Sequence, residues 1–288
     1  MLRIALPNKG RLAEETRDLF GDAGLEIRSV GERALTARLG DDFQALFVRA
    51  QDIPEFVGDG AADAGITGWD LVCESGRELD TLLDLTFGRC RLVVAVRDES
   101  PIRRVEDIVA GTRVATVFPK ATQAYFATRG QRVEVVPVSG AAEVAPHLGI
   151  ADVVVDLTST GSTLRVNGLR ELDTVLTSTA RLIVSPNTMR GSEAKAGAVK
   201  ELTAALESVL RARGQRYLMA NVPKAAMARV KEVLPGLNGP TVIDIMNGGE
   251  HAAVHAVVPA AGVYRTIAAL KALGAEGILV TRIERLMP

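Results

Sequence analysis

DVVVDLTSTGSTLRVNG, residues 152–168, is a strand feeding a polar turn that feeds a helix. Residues 153–155 are β-branched and continuously apolar, as in a strand covered on both faces. The run ends at an acid, Asp156. Thr158-Ser159-Thr160-Gly161-Ser162-Thr163 then brings hydroxyls, backbone N–H groups and a glycine together, and a helix-compatible segment opens near Leu164. Such a junction suits a phosphate, because unpaired N–H groups and a helix N-terminus converge at one point. A carboxylate just ahead of the turn suits sugar hydroxyls or a metal-bridged pyrophosphate instead. The same residues also read as a strand ending in a polar turn, with Asp156 and Thr160 capping the next helix. Either way the stretch is a βα unit.

The unit recurs along the chain. Residues 2–6 read as a strand and 10–23 as a helix whose Leu12, Thr16, Leu19, Phe20 and Ala23 share a face. Strands follow at 35–39 and 45–48, then a short helix at 52–57, a buried strand at 64–67 and a short helix at 69–74. A second series places strands at 92–96, 113–118, 133–138 and 153–156, with helices at 105–109, 122–128 and 141–148. This alternation predicts an α/β class with mostly parallel sheets. Two short series predict two lobes, with ligands bound in a cleft outside the carboxyl ends of the strands. The β-competent stretch 174–184 is positioned to return the chain to the first lobe, and 193–213 is an amphipathic helix. Beyond it, strands at 216–222, 241–246, 251–258 and 277–283 and helices at 224–234 and 262–273 give the ferredoxin-like order βαββαβ, with a turn at Asn247-Gly248-Gly249. Domains are therefore expected at 1–90 with 181–213, at 91–180, and at 214–288.

A chain of 288 residues is long for one core. A net charge of −1 gives no electrostatic reason to expect nucleic acid or an anionic membrane as partner. Cys73 and Cys90 form no CxxC and read as reduced thiols. No apolar run has the length of a bilayer-spanning helix, and the apolar run at the start is too short for a signal peptide, so a cytoplasmic location is expected.

Three further strand-to-helix junctions fall in the first lobe. They are Pro7-Asn8-Lys9-Gly10-Arg11, Arg49-Ala50-Gln51-Asp52 and Gly65-Ile66-Thr67-Gly68-Trp69-Asp70. In a parallel sheet all three lie on one edge. Cations at a helix N-terminus oppose the dipole, an arrangement best tolerated when an anion sits between them; otherwise Lys9 and Arg11 are a solvated basic cap. Trp69 either stacks on a base or packs. His251 and His255 resemble a metal pair, but four residues along a strand span roughly 13 Å, too far to share one zinc. His147 has no obvious partner. GxxxxGK[ST], GxGxxG and a nucleophilic serine elbow are absent from the sequence.

Glu143, Gly149, Ala151, Val154, Asp156, Thr160-Gly161, Thr163 and Leu164 together resemble the signature of the ATP phosphoribosyltransferase family. PNKGRL, the Arg49/Asp52 junction and GITGWD resemble that family at matching places, and the C-terminal βαββαβ module resembles the ACT-like regulatory domain of its long form. The resemblance implies catalytic lobes like those of type II periplasmic binding proteins. It implies a glycosyltransferase (pentosyltransferase) that joins PRPP to N1 of the ATP adenine and releases pyrophosphate, with Mg²⁺, as the first step of histidine biosynthesis. By resemblance, Thr158, Ser159, Thr160, Gly161, Ser162 and Thr163 hold the 5′-phosphate of PRPP and Asp156 its ribose hydroxyls, with Glu143 and Asp152 nearby. Lys9, Arg11 and Arg49 face pyrophosphate and ATP phosphates, and Asp70 lies at the cleft. Thr241 and Asp244 are candidates near a histidine inhibitor, and association into a homo-oligomer (dimer, hexamer or both) is expected. No firm all-protein metal site is expected, since Mg²⁺ binds through substrate phosphates with one or two carboxylates. Where the family often has proline after Arg49, this chain has Ala50, a change that relaxes φ without touching substrate. Two other readings compete: a non-catalytic two-lobed solute-binding protein, and a regulatory module whose enzyme activity is lost.

Overall fold

The computed structural model describes residues 1–28, 34–246 and 249–287. The chain folds as two compact units, Met1–Thr203 and Ala204–Pro288. The first unit opens with β1 (Leu2–Pro7), α1 (Arg11–Asp22), β2 (Ile27–Arg28), β3 (Thr36–Leu39), β4 (Phe43–Val48), α2 (Ile53–Gly58), β5 (Ala64–Gly68), α3 (Trp69–Ser75) and β6 (Asp80–Asp84). The chain then crosses into a second lobe made of β7 (Cys90–Arg97), β8 (Arg113–Thr116), α4 (Pro119–Thr128), β9 (Glu134–Pro137), β10 (Val153–Thr158), α5 (Ser162–Val166) and β11 (Leu169–Ser178). It returns through β12 (Ala180–Val184), α6 (Pro186–Gly191) and α7 (Glu193–Ala212). The stretch read as one β-competent segment is thus two strands, parted at Thr179 and belonging to different sheets.

Lobe I is the sheet β2-β3-β4-β1-β5-β12-β6, and lobe II the sheet β11-β7-β10-β8-β9. This is the expected two-lobed α/β architecture. The central trio β4-β1-β5 is parallel, as is β10-β8-β9. The expectation of mostly parallel sheets is corrected at the β2-β3-β4 edge, where β3 runs antiparallel to both neighbours, and at β7 and β12. β7 is antiparallel to β10 and β11, and β12 to β5 and β6. The reason is the crossing itself: each of these strands enters its lobe at the edge where its parallel neighbours end, so it must run the other way. The central strands are buried along most of their length, matching their continuous apolar sequence.

Two expected helices are single 3₁₀ turns. Residues 141–148 form only the turn Ala142–Val144, because Pro146 lacks an N–H and Gly149 takes φ +68°. Residues 105–109 form only the turn Val105–Asp107, where the Asp107 carboxylate instead takes the N–H groups of Arg103 and Arg104. β2 and β6, missed in the sequence, are edge strands.

Two backbone segments cross between the lobes side by side: Leu85 N–H donates to Ala180 O (2.9 Å) and Ala180 N–H to Phe87 O (2.9 Å). Asp84 ties them, accepting from Thr86 N–H (2.9 Å) and Thr179 Oγ1 (2.8 Å) and pairing with Arg181 (3.1 Å). A second link is helical. The Glu74 carboxylate of α3 accepts from the N–H groups of Lys120 and Ala121 at the start of α4 (3.1 and 3.0 Å), while Lys120 Nζ donates to Ser75 O (2.7 Å). An acid at one helix N-terminus and a cation at the other's C-terminus each complement a dipole.

The second unit contains β13 (Gln215–Pro223), α8 (Met227–Val233), β14 (Thr241–Asp244), β15 (His251–Pro259), α9 (Val263–Ala272) and β16 (Glu276–Arg282). Its antiparallel sheet, β14-β15-β13-β16, has the ferredoxin-like order read from the sequence. Leu218, Val222, Val230, Val254 and Leu270 form its core. Part of the expected turn, Asn247 and Gly248, lies outside the described residues.

Candidate active site

Because β4, β1 and β5 are parallel neighbours, Arg49, the Asn8–Arg11 turn and Gly68-Trp69-Asp70 all emerge from one edge of lobe I. Lys9, Arg11 and Arg49 are exposed there. The junctions are cross-linked: Asn8 N–H donates to Val48 O (2.9 Å), and Thr67 Oγ1 to Ala50 O (2.7 Å).

Register carries that edge across to lobe II. Gly68 pairs with Ala180 at the crossing, Ser178 pairs with Cys90, and Arg91 pairs with both Thr177 and Thr158. The carboxyl end of β10, where the polar loop begins, is therefore one strand away from the crossing, about 5 Å. The loops of the two lobes open onto the same gap.

The loop is knitted before any ligand arrives. Thr158 is buried and its Oγ1 accepts from Gly161 N–H (2.8 Å), so it braces the turn rather than presenting itself. Thr160 Oγ1 lies 2.9 Å from Ser162 Oγ. Ser159, Thr160, Ser162 and Thr163 are exposed, and Gly161 takes φ +74°, a conformation glycine adopts without strain. Just before the loop, burial pushes the Asp156 carboxyl up; the Leu157 N–H bond opposes this, and the neighbouring Glu143 carboxyl adds to it. The two acids form a close pair, as expected where a sugar's vicinal hydroxyls or a divalent cation is held.

A family model described as "HisG: ATP phosphoribosyltransferase" matches residues 49–208, and one described as "HisG, C-terminal domain" matches 212–285. An ATP phosphoribosyltransferase from Gemmatimonas aurantiaca is 67% identical over 100% of both chains, and one from Methanosarcina barkeri 48% identical over 100% of both.

The chain belongs to the ATP phosphoribosyltransferase family.

The C-terminal match makes it the long form. Among solved structures, a chain of the ATP phosphoribosyl transferase (HisG:HisZ) complex from Thermotoga maritima superposes with a TM-score of 0.63 at 29% identity, covering 73% of this chain and 99% of that one.

Not every residue expected at an ATP phosphoribosyltransferase site is brought to this gap. Asp152 stands at the other end of β10, where Arg113 pairs with it (3.1 Å) and holds its carboxyl below the usual range; it is six residues and roughly 20 Å from the loop. Asp70 is at the gap but buried, at 5% exposure. Its Oδ1 accepts from Ser178 Oγ (2.5 Å), and Ser178 Oγ accepts from Asp70 N–H (3.0 Å). Burial raises the Asp70 carboxyl, and the bonds from Ser178 and from the N–H groups of Asp70 and Leu71 pull it back. Arg11 is exposed and paired with Glu15 (3.3 Å). Trp69 packs partly buried against the Ala5, Ile53 and Val72 cluster, with the Arg181 guanidinium 5.9 Å from its ring centre. His147 has a partner after all, Asn167 O at 2.8 Å from Nε2.

In the second unit, Thr241 and Asp244 both lie on the exposed edge strand β14, but three residues apart they point to opposite faces. Thr241 sits opposite His255, and Asp244, 86% exposed, pairs with Lys224 (3.2 Å). His255 Nδ1 is 2.7 Å from Tyr217 Oη, which occupies one nitrogen of the supposed metal pair. Among the described residues no group of three or more His, Cys, Asp or Glu is placed to hold a metal, and no helix is long and apolar enough to cross a membrane. A cavity of about 330 Å³ lies at the opposite edge of lobe I, beside Asp63 and Lys195. Those two charges satisfy each other at 2.7 Å.

The sequence reading missed Arg91, Arg165, Glu171 and Ser178. Ser178 sits at the lobe boundary, a place visible only once the two strands there are separated. Arg91 opens an apolar strand, a cation at a strand start being the one available signal.

Proposed function

We propose that the gap between the lobes is the site at which this ATP phosphoribosyltransferase joins its two substrates. The N1 atom of the ATP adenine forms a bond to C1′ of PRPP as the bond from C1′ to pyrophosphate breaks. The observation that carries this reading is the alignment of three lobe I junctions with the Asp156 loop across the crossing strands.

Leaving pyrophosphate places positive charge on the ribose, so positioning and electrostatics do most of the work. The exposed backbone and hydroxyls of the loop receive the 5′-phosphate. Asp156 and Glu143 receive the ribose hydroxyls, two close carboxyls being well placed to accept from vicinal hydroxyl donors or to share a cation. Lys9, Arg11 and Arg49 face the polyphosphates. Asp70, sealed by Ser178, orients the Trp69 end of α3 rather than touching phosphate. Mg²⁺ suits the hard oxygen donors of Asp156 and Glu143 together with substrate phosphates, and when bound it neutralises the departing pyrophosphate.

The product is the first intermediate of histidine biosynthesis. Histidine feedback through the second unit, and assembly into homo-oligomers, complete the proposal. Continuous pyrophosphate-release measurement with ATP, PRPP and Mg²⁺ tests it. Release that requires both substrates is expected; none at high enzyme concentration would sink the proposal.

A further inference from the structure

The polar loop at 158–163 contains no cation, and α5, which follows it, is only five residues long. A phosphate dianion held there needs countercharge from elsewhere. Two guanidiniums reach the loop from different elements. Arg91 lies directly across from Thr158 in the strand register. Arg165, on α5, donates from Nη2 to Thr160 O at 3.3 Å.

Glu171, on β11, ties one of them down. Its carboxylate takes Arg91 in a two-bond fork, at 2.8 and 3.2 Å, and Arg91 Nη1 also reaches Thr174 Oγ1 at 3.3 Å. The same carboxylate is the floor of the loop. A Cβ on residue 161 would lie 2.7 Å from Glu171 Oε1 and 3.1 Å from Arg165 Nη1, so the Gly161 backbone rests directly on these two side chains. A carboxylate under a phosphate site is repulsive unless it has a purpose; here it fixes where the Arg91 fork sits.

We propose that Glu171 is a positioning residue for the PRPP phosphate: it braces Gly161 and holds Arg91 at the loop, while Arg91 and Arg165 supply the positive charge the loop lacks. This rests on the reading of 158–163 as the 5′-phosphate site. Glu171 acts through Arg91, so losing either member weakens the same interaction, and losing both costs little more than losing Arg91 alone.

Steady-state kinetics of pyrophosphate release on the full-length enzyme test this, with Glu171→Gln, Arg91→Met, Arg91→Lys, Arg165→Met and the Glu171→Gln/Arg91→Met pair. Each methionine or glutamine variant is expected to raise KM for PRPP about tenfold, the scale of one charge-assisted hydrogen bond. KM for ATP should stay within about twofold, and the pair should match Arg91→Met. Arg91→Lys should recover part of the loss, since charge returns without the fork. Arg165 is exposed, so Arg165→Met reports on charge even if the Glu171 variant folds poorly.

An unchanged KM for PRPP in both arginine variants overturns the proposal. So does a rise in both KM values together with a fall in melting temperature, which marks a merely structural network. Thr160→Ala with Thr163→Ala separates the two levels: if that variant also leaves PRPP use intact, the loop reading itself fails.

Discussion

Replacing Ser178 with alanine removes two bonds at once, both inside the protein. Ser178 is 1% exposed and Asp70 5% exposed. The hydroxyl donates to Asp70 Oδ1 at 2.5 Å and accepts from Asp70 N–H at 3.0 Å. Its loss leaves a buried carboxylate oxygen and a buried N–H without these partners. One unsatisfied buried group costs about 1–3 kcal/mol, with charged groups at the upper end, so about 3 kcal/mol is expected when Asp70 is ionised. At roughly 2–4 °C per kcal/mol for a unit of this size, Tm should fall by about 6–12 °C at neutral pH. The pH dependence has a definite sign. Burial raises the folded-state pKa of Asp70 above its unfolded value, so the folded state binds the proton more tightly and stability falls as pH rises through that window. Ser178 restrains this rise; without it the folded value climbs further and the window widens upward. The deficit of Ser178→Ala should therefore be largest above the folded pKa and shrink near pH ~4, where Asp70 is increasingly protonated. Calorimetric melts of both proteins at pH ~7.5 and ~4 measure it. An equal deficit at the two pH values, or none at neutral pH, would refute the reasoning.

Three other outcomes are expected. Asp156→Asn should depress PRPP use, seen as a raised KM or lowered kcat, with Tm nearly unchanged; a large Tm loss with PRPP affinity intact contradicts the ribose assignment. Glu74→Ala removes the carboxylate that caps α4 across the lobes, so a loss of about 1 kcal/mol and a Tm drop of roughly 2–4 °C should appear in thermal melts, while Glu74→Asp, too short to reach both N–H groups, recovers little. Deleting the chain after Arg213 should abolish histidine inhibition of pyrophosphate release; a soluble, active and still fully inhibited truncation would place the effector elsewhere.

Much of the fold was legible because its signals are local. Leu19 and Phe20 of α1, and Val199, Leu202, Leu206 and Val209 of α7, recur at helical spacing and are all buried. The strand 153–155 declared itself by continuous apolar burial. Strand direction was less accessible: β7 and β12 look like any buried strand, and only the crossing between lobes reverses them. Pro146 was present in the sequence, yet the apolar pattern around it invited a helix that its missing N–H forbids. In the candidate site, Asp156, Gly161 and the three lobe I junctions were readable as chemistry at the ends of elements. Asp152 was misplaced because proximity in sequence to the loop is distance along a strand.

DVVVDLTSTGSTLRVNG by itself determined a βα unit with a glycine turn and an acid ahead of it, since φ preference and hydroxyl content are properties of single residues. The family, too, was written in motifs. What only the tertiary structure decided is which charges share the loop. Glu171 lies ten residues beyond Gly161 and Arg91 seventy before it, yet side chains reaching across the neighbouring strands β7 and β11 bring them together under one backbone turn. Countercharge is a matter of distance through space, and neighbouring strands, not neighbouring residues, set that distance.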